Sequence, residues 1–208
     1  MRSYPKTIAQ LTALVTEGIV PGISYVIFDG PAEIRRVQGL AQTRPFPETL
    51  VAGMKYDLAS LTKVVGTVPV IAMLIQEGRL RLADPVVKYL PAFGDPRPTI
   101  RHLLTHTSGI NGYIPHRDEL APVALKRAFL TAMHVDSSFN RQIRYADVNF
   151  LYLGWIIEKL CQAPVQEVIA NRILAPLQMT GATFNPAPAT CVPTEIQPQR
   201  GLIRGTVH

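Results

Sequence analysis

Ser60-Leu61-Thr62-Lys63, running on into Val64-Val65-Gly66-Thr67-Val68-Pro69-Val70-Ile71-Ala72-Met73-Leu74-Ile75, sets a hydroxyl and an amine one helical turn apart at the head of a long apolar segment. Residues three apart share a helix face. A helix opening at Ser60 therefore brings Lys63 Nζ back towards Ser60 Oγ, and the apolar residues behind it bury that helix. Burial disfavours an ammonium ion, so it is expected to lower the lysine pKa and free a neutral amine to take the serine proton. That is the arrangement of an activated serine nucleophile. The simpler reading of Ser60 is a helix N-cap, but a capping box would put Glu or Gln where Lys63 stands. A second copy of the spacing, Ser3-Tyr4-Pro5-Lys6, is set aside because it lies at a terminus and contains a proline.

The helix should end near Glu77-Gly78, with glycine as its C-terminal cap. Pro69 should remove one hydrogen bond and bend it two turns beyond Ser60. Towards the amino terminus, Ile8, Leu11, Leu14 and Val15 recur at helical spacing and Gly18 offers a stop, which predicts a helix over residues 6–17. Ile23 to Phe28 is a β-rich run, Asp29-Gly30 is a hairpin signal, and Ala32 to Leu40 reads as the returning strand. Towards the carboxyl terminus, helical patterns cover Ile100 to Thr105, Leu120 to His134, Phe150 to Leu160 and Val165 to Leu174. Prolines at 176, 186, 188, 193 and 198 then change the character of the chain.

With 208 residues, 47% of them hydrophobic, the sequence suits one large domain or two lobes around a substantial core. Lys and Arg number 21 against 15 Asp and Glu, a formal charge of +6, and they come as separated pairs such as Arg35-Arg36 and Lys126-Arg127. Such scatter describes a solvated surface rather than a phosphate-tracking stripe, so no nucleic-acid role is expected, while the positive field favours anionic small substrates. Cys161 and Cys191 make no disulfide framework and match no zinc spacing, and reduced thiols are the simpler reading. No secretory apolar stretch and no membrane-length segment stands out, so the chain reads as cytoplasmic, with no membrane partner.

Tyr145-Ala146-Asp147 is expected in a loop immediately before the Phe150 helix. A phenol beside a lysine ammonium has its pKa lowered, which makes Tyr145 a candidate base on Ser60 or a relay to the leaving group. Asp147 is a candidate to orient Lys63 or to bind a substrate amide. The plain alternative is a buried tyrosine and an aspartate capping the next helix.

Ala59-Ser60-Leu61-Thr62-Lys63, Arg101-His102-Leu103-Leu104-Thr105-His106-Thr107-Ser108-Gly109 and Arg144-Tyr145-Ala146-Asp147, in this order, resemble the serine β-lactamase and penicillin-binding-protein superfamily, in its class C β-lactamase-related branch. Pro21-Gly22, Glu77-Gly78-Arg79-Leu80 with Asp84-Pro85, and Pro176-Leu177-Gln178-Met179 agree with it. The resemblance implies an α+β fold of the β-lactamase/transpeptidase type, a helical lobe with an antiparallel sheet lobe. It implies Ser60 as acylated nucleophile, Lys63 as its activator and Tyr145 as general base and acid. The expected activity is a serine hydrolase acting through an acyl-enzyme on a small ester, amide or D-amino-acid peptide, with β-lactams included, and needing no cofactor or metal. Asp147 stands where the family more often has Asn. A carboxylate there tends to keep Lys63 protonated, which favours Tyr145 as the working base. Asn149 lies four residues after Tyr145 rather than two and is left out.

Ser108 sits in a Thr-Ser-Gly turn with no base placed near it and reads as structural. His102 and His106 lack the Glu and third ligand of a zinc helix, and His106 is expected to tie down the turn. The resemblance also implies a third motif, Lys or His, a small residue, then Gly, on a strand that supplies a second oxyanion donor. No such triplet occurs in residues 1–208. The expectation is an amino-terminal part of a longer hydrolase: residues 1–50 begin the α/β lobe, 51–180 form the helical lobe, and 181–208 lead towards a missing part that is a candidate partner chain. A non-catalytic binding relative is the alternative.

Overall fold

Pro5 presets the backbone for a first helix, α1 (Pro5–Thr16), where its missing N–H costs nothing. The computed structural model describes residues 3–207. It divides into two compact units, one holding the residues up to Ala59 together with those from Gly181 onward, the other Ser60–Thr180.

In the first unit, α1 packs on a hairpin of β1 (Gly22–Asp29) and β2 (Ala32–Gln42), antiparallel from Gly22 opposite Gly39 to Asp29 opposite Ala32. The turn at Gly30, φ +59°, is the hairpin that Asp29-Gly30 announces. β3 (Glu48–Thr49) adds to β2 across a bulge between Leu40 and Gln42. Further along, Lys55 bridges to Cys191, β6 (Glu195–Gln197) pairs with β7 (Gly201–Ile203), and Arg204 reaches Glu48. Among the described residues of this unit, Ala41, Leu50, Cys191 and Ile203 are buried.

The second unit is mainly helical. The helix after Ser60 differs from the sequence expectation: its first turn is a π-helix, Lys63–Thr67, that leads into α2 (Val68–Gln76). Pro69 explains the widening, because a proline ring clashes with the carbonyl four residues back, here Val65, and a wider turn carries that carbonyl aside. Gly66 in this turn lies against Ile169, so close that a Cβ would stand 2.9 Å from Ile169 Cδ1. The carboxyl end follows the sequence: Gly78, φ +70°, donates to Ile75 O and Arg79 to Leu74 O, the paired bonds of a Schellman cap.

α3 (Ile100–Leu104), α4 (Pro122–Ala132), α5 (Asp147–Cys161) and α6 (Val165–Ile169) follow, the last continuing into a second π-turn, Ala170–Leu174. α5 begins at Asp147, one turn earlier than the Phe150 pattern predicts, so Asp147 is not in a loop but in the helix's first turn, where the dipole favours a carboxylate. α4 stops at Ala132, and His134 instead enters β5 (His134–Val135), paired with β4 (Ile110–Asn111). The core joins Val70, Ile71 and Leu74 of α2, Ile100 and Leu103 of α3, and Tyr152, Leu153, Ile156 and Ile157 of α5. Each such aliphatic side chain contributes roughly 1.5–3 kcal/mol by leaving water. Among the described residues, no helix is long and apolar enough to cross a membrane.

Candidate active site

Ser60 is exposed and directly precedes the helical backbone of Leu61 and Thr62. Ala59 before it has φ +44°, a left-handed conformation that is uncommon for a residue carrying Cβ and costs roughly 1–3 kcal/mol. Lys63, from the π-turn, donates to Ser60 Oγ at 3.0 Å and to Asp147 Oδ1 at 2.7 Å. Tyr145 donates its hydroxyl to Ser60 Oγ at 2.7 Å from the loop before α5. The rings of Tyr145 and Phe150 lie 5.1 and 5.7 Å from Lys63 Nζ, so the ammonium rests on two aromatic faces. Ser60, Lys63, Tyr145 and Asp147 thus meet at one point of the second unit.

The electrostatics correct the simple burial argument for Lys63. Its side chain is only 15% exposed, and burial by itself pushes the pKa down. The hydrogen bonds and negative charge of Asp147, with those of Tyr145, outweigh it and hold the amine above the ordinary lysine range. Tyr145 moves the other way: its hydrogen bond to Lys63, then that to Ser60, with the lysine charge added, pull the phenol below the ordinary tyrosine range.

Behind Tyr145 lies a group of polar side chains that sequence reasoning used only in part. His106, at φ +55°, stacks on the Tyr145 ring with centroids 4.5 Å apart and on Phe150 at 5.3 Å. Asn149 is buried on α5 and contacts His106 Nδ1 at 3.1 Å, while Ser108 donates to Asn149 Oδ1 at 2.6 Å. Ser108 has no part in the Ser60 cluster. His102 is occupied as an acceptor of the Thr99 N–H at the start of α3. Among the described residues, no three His, Cys, Asp or Glu side chains group as a metal site. A cavity of about 620 Å³ opens beside Asp147, walled by Ile110, Phe129, Met133 and Leu151 together with the polar Asn111 and Glu119.

The fold is of the β-lactamase/transpeptidase type: a class C beta-lactamase solved in complex with cefoxitin superposes with a TM-score of 0.75 at 20% identity, over 89% of this chain and 52% of that one. The family model described as Beta-lactamase matches residues 7–201, and the chain belongs to that family. A D-stereospecific amidohydrolase from Streptomyces sp. is 27% identical, with a TM-score of 0.71 over 92% of this chain and 61% of its own. A provisionally named D-alanyl-D-alanine carboxypeptidase of Escherichia coli (strain K12) is 28% identical over 156 residues, 67% of this chain and 36% of that protein. The chain therefore spans well under half the length of that curated relative.

Proposed function

We propose that the chain carries the acyl-transfer centre of a serine hydrolase, with Ser60 as nucleophile, Tyr145 as the group that moves its proton, Lys63 as a protonated activator and Asp147 as the carboxylate that keeps it so. The observation that carries this reading is the convergence of Tyr145 Oη at 2.7 Å and Lys63 Nζ at 3.0 Å on one exposed hydroxyl oxygen.

A lysine held as ammonium has no lone pair to offer, so the proton must go elsewhere. The phenolate of Tyr145 takes it while Ser60 Oγ bonds to the carbonyl carbon of an ester or amide; the Tyr145–Ser60 contact then runs with donor and acceptor reversed. Collapse of the adduct breaks the bond to the alcohol or amine, which leaves with the proton from Tyr145. Water, deprotonated by the same phenolate, releases the acyl group and restores Ser60. The Ser60 N–H serves as an oxyanion donor, and one such donor is worth about 2.7–4 kcal/mol.

Small esters, amides and D-amino-acid peptides are the substrate classes proposed, β-lactams being cyclic amides of the same kind. Family membership and the likeness to the D-stereospecific amidohydrolase support this choice. The cavity beside Asp147, which mixes apolar side chains with polar ones, is of a size to take the acyl side chain. Treatment with a fluorophosphonate should add one phosphonyl group to Ser60, located by mass spectrometry, and none to the Ser60→Ala protein. An unlabelled Ser60 in the wild-type chain would overturn the nucleophile assignment.

A further inference from the structure

Tyr145 stands 61% exposed on a loop, yet its hydroxyl must stay within hydrogen-bond reach of Ser60. The two peptide N–H groups that flank it both end on a single residue. Arg144 N–H donates to His106 O at 2.8 Å, and Ala146 N–H donates to His106 Nδ1 at 3.3 Å. The His106 ring lies on the Tyr145 ring at an interplanar angle of 29°. One residue therefore grips Tyr145 before, behind and on its face.

His106 is itself fixed from the interior. Its Nδ1 also receives the Asn149 amide N–H at 3.1 Å, and Asn149 Oδ1 receives the Ser108 hydroxyl at 2.6 Å. Ser108 Oγ in turn accepts the Ile110 N–H at 3.1 Å, and both Ser108 and Asn149 are only 1% exposed. A buried polar chain with each member satisfied has one low-energy arrangement, so it locates what it holds. Two donors on Nδ1 require a lone pair there, which places the ring proton on Nε2. Burial first, and then the nearby Lys63 charge, hold His106 below the ordinary histidine range and outweigh the opposing pull of Asp147, so the acceptor is kept free.

We propose that His106 is a positioning residue that holds the Tyr145 hydroxyl on Ser60, with Asn149 and Ser108 as its buried anchor. The inference rests on Tyr145 acting on Ser60 as described above. His106→Phe keeps the ring and loses the acceptor. His106→Asn keeps an acceptor near the Nδ1 position and suits the left-handed backbone, since Asn tolerates it well.

The full chain and its variants are compared by the rate at which a fluorophosphonate labels Ser60, each in a Tyr145 and a Tyr145→Phe background. His106→Phe should slow labelling roughly 10- to 100-fold, the usual loss when a reacting group is misplaced by a fraction of an ångström to an ångström. His106→Asn should recover most of that rate. With Tyr145→Phe already present, His106→Phe should add nothing, because residues that act as a unit are not additive. Equal slowing in both backgrounds, with Tyr145→Phe itself impaired, would overturn the positioning role and leave the role of Tyr145 standing.

Full labelling of Tyr145→Phe would instead overturn the base assignment. The positioning role is then read from the phenolate absorbance of Tyr145, taken as wild type minus Tyr145→Phe. That titration should lie below the ordinary tyrosine range in the wild type and His106→Asn proteins and move up in His106→Phe, as Lys63 contact loosens; no movement would sink the proposal. Ser108→Ala, which unties Asn149 without touching His106, should shift the same titration upward by less and serves if His106→Phe does not fold.

Discussion

Lys63 Nζ lies 2.7 Å from Asp147 Oδ1, nearer than its 3.0 Å to Ser60 Oγ, so the amine belongs as much to the carboxylate as to the hydroxyl. Asp147 holds the Lys63 pKa up, and its charge also opposes the phenolate of Tyr145. Asp147→Asn removes both effects. The base form of Tyr145 should then appear at lower pH, moving the acid limb of Ser60 labelling downward while the neutral-pH rate stays within about 10-fold. A limb that moves upward would mean that Asp147 does not act through its charge.

The same pair sets the pH dependence of the wild-type chain. Tyr145 works as its deprotonated form, and its pKa is depressed, so the rate should climb with pH earlier than an unperturbed tyrosine allows. Lys63 works as its protonated form, and its pKa is raised, so the rate should fall again only above the ordinary lysine range. The two limbs belong to the coupled pair rather than to either residue alone. Lys63→Met should cost about 10²- to 10⁴-fold in labelling rate and move the lower limb up. Stopped-flow labelling across the pH range checks both, and a rate that falls steadily from acid pH would exclude the phenolate.

The site was legible where its logic is local or motif-bound, and obscure where distant residues decide. The Ser60 to Lys63 spacing and the Tyr145-Ala146-Asp147 triplet could be read along the chain, as could the Asp29-Gly30 turn and the Gly78 cap. The lysine's charge state could not be read from its own helix, where burial alone argues for a neutral amine; it became legible only once the family resemblance set Asp147, 84 positions away, beside it. His106 meets Ala146 across 40 positions, with no periodic pattern to announce the pair. The π-turn at Lys63–Thr67 depends on how the Pro69 ring and Ile169 crowd one helix turn, which propensity does not encode. β4 and β5, two residues each, are too short to show an alternating pattern.

Tyr152 tests the core of the second unit without touching the site. It is fully buried, and its hydroxyl donates to Phe129 O at 2.6 Å, tying α5 to α4. Tyr152→Phe keeps the ring but leaves that carbonyl without this donor, which should cost about 1–3 kcal/mol in urea unfolding. Burial holds the phenol far above the ordinary tyrosine range, so the difference between the two proteins should be flat from neutral to mildly alkaline pH. A variant with the wild-type midpoint would show that the bond contributes nothing net.

Gly39 and Gly53 separate backbone strain from crowding in the first unit. Both have left-handed backbone, φ +85° and +87°. A Cβ at Gly53 would meet nothing within 4 Å, whereas at Gly39 it would stand 2.4 Å from Pro21 O and 2.8 Å from Val15 Cγ1. Gly53→Ala should therefore lose only the conformational term, roughly 1–2 kcal/mol. Gly39→Ala carries that term and must also push β1 and α1 off β2, adding about 1–3 kcal/mol. Chemical denaturation of the two variants should rank them in that order, and equal losses would show that the hairpin yields at Gly39 without resistance.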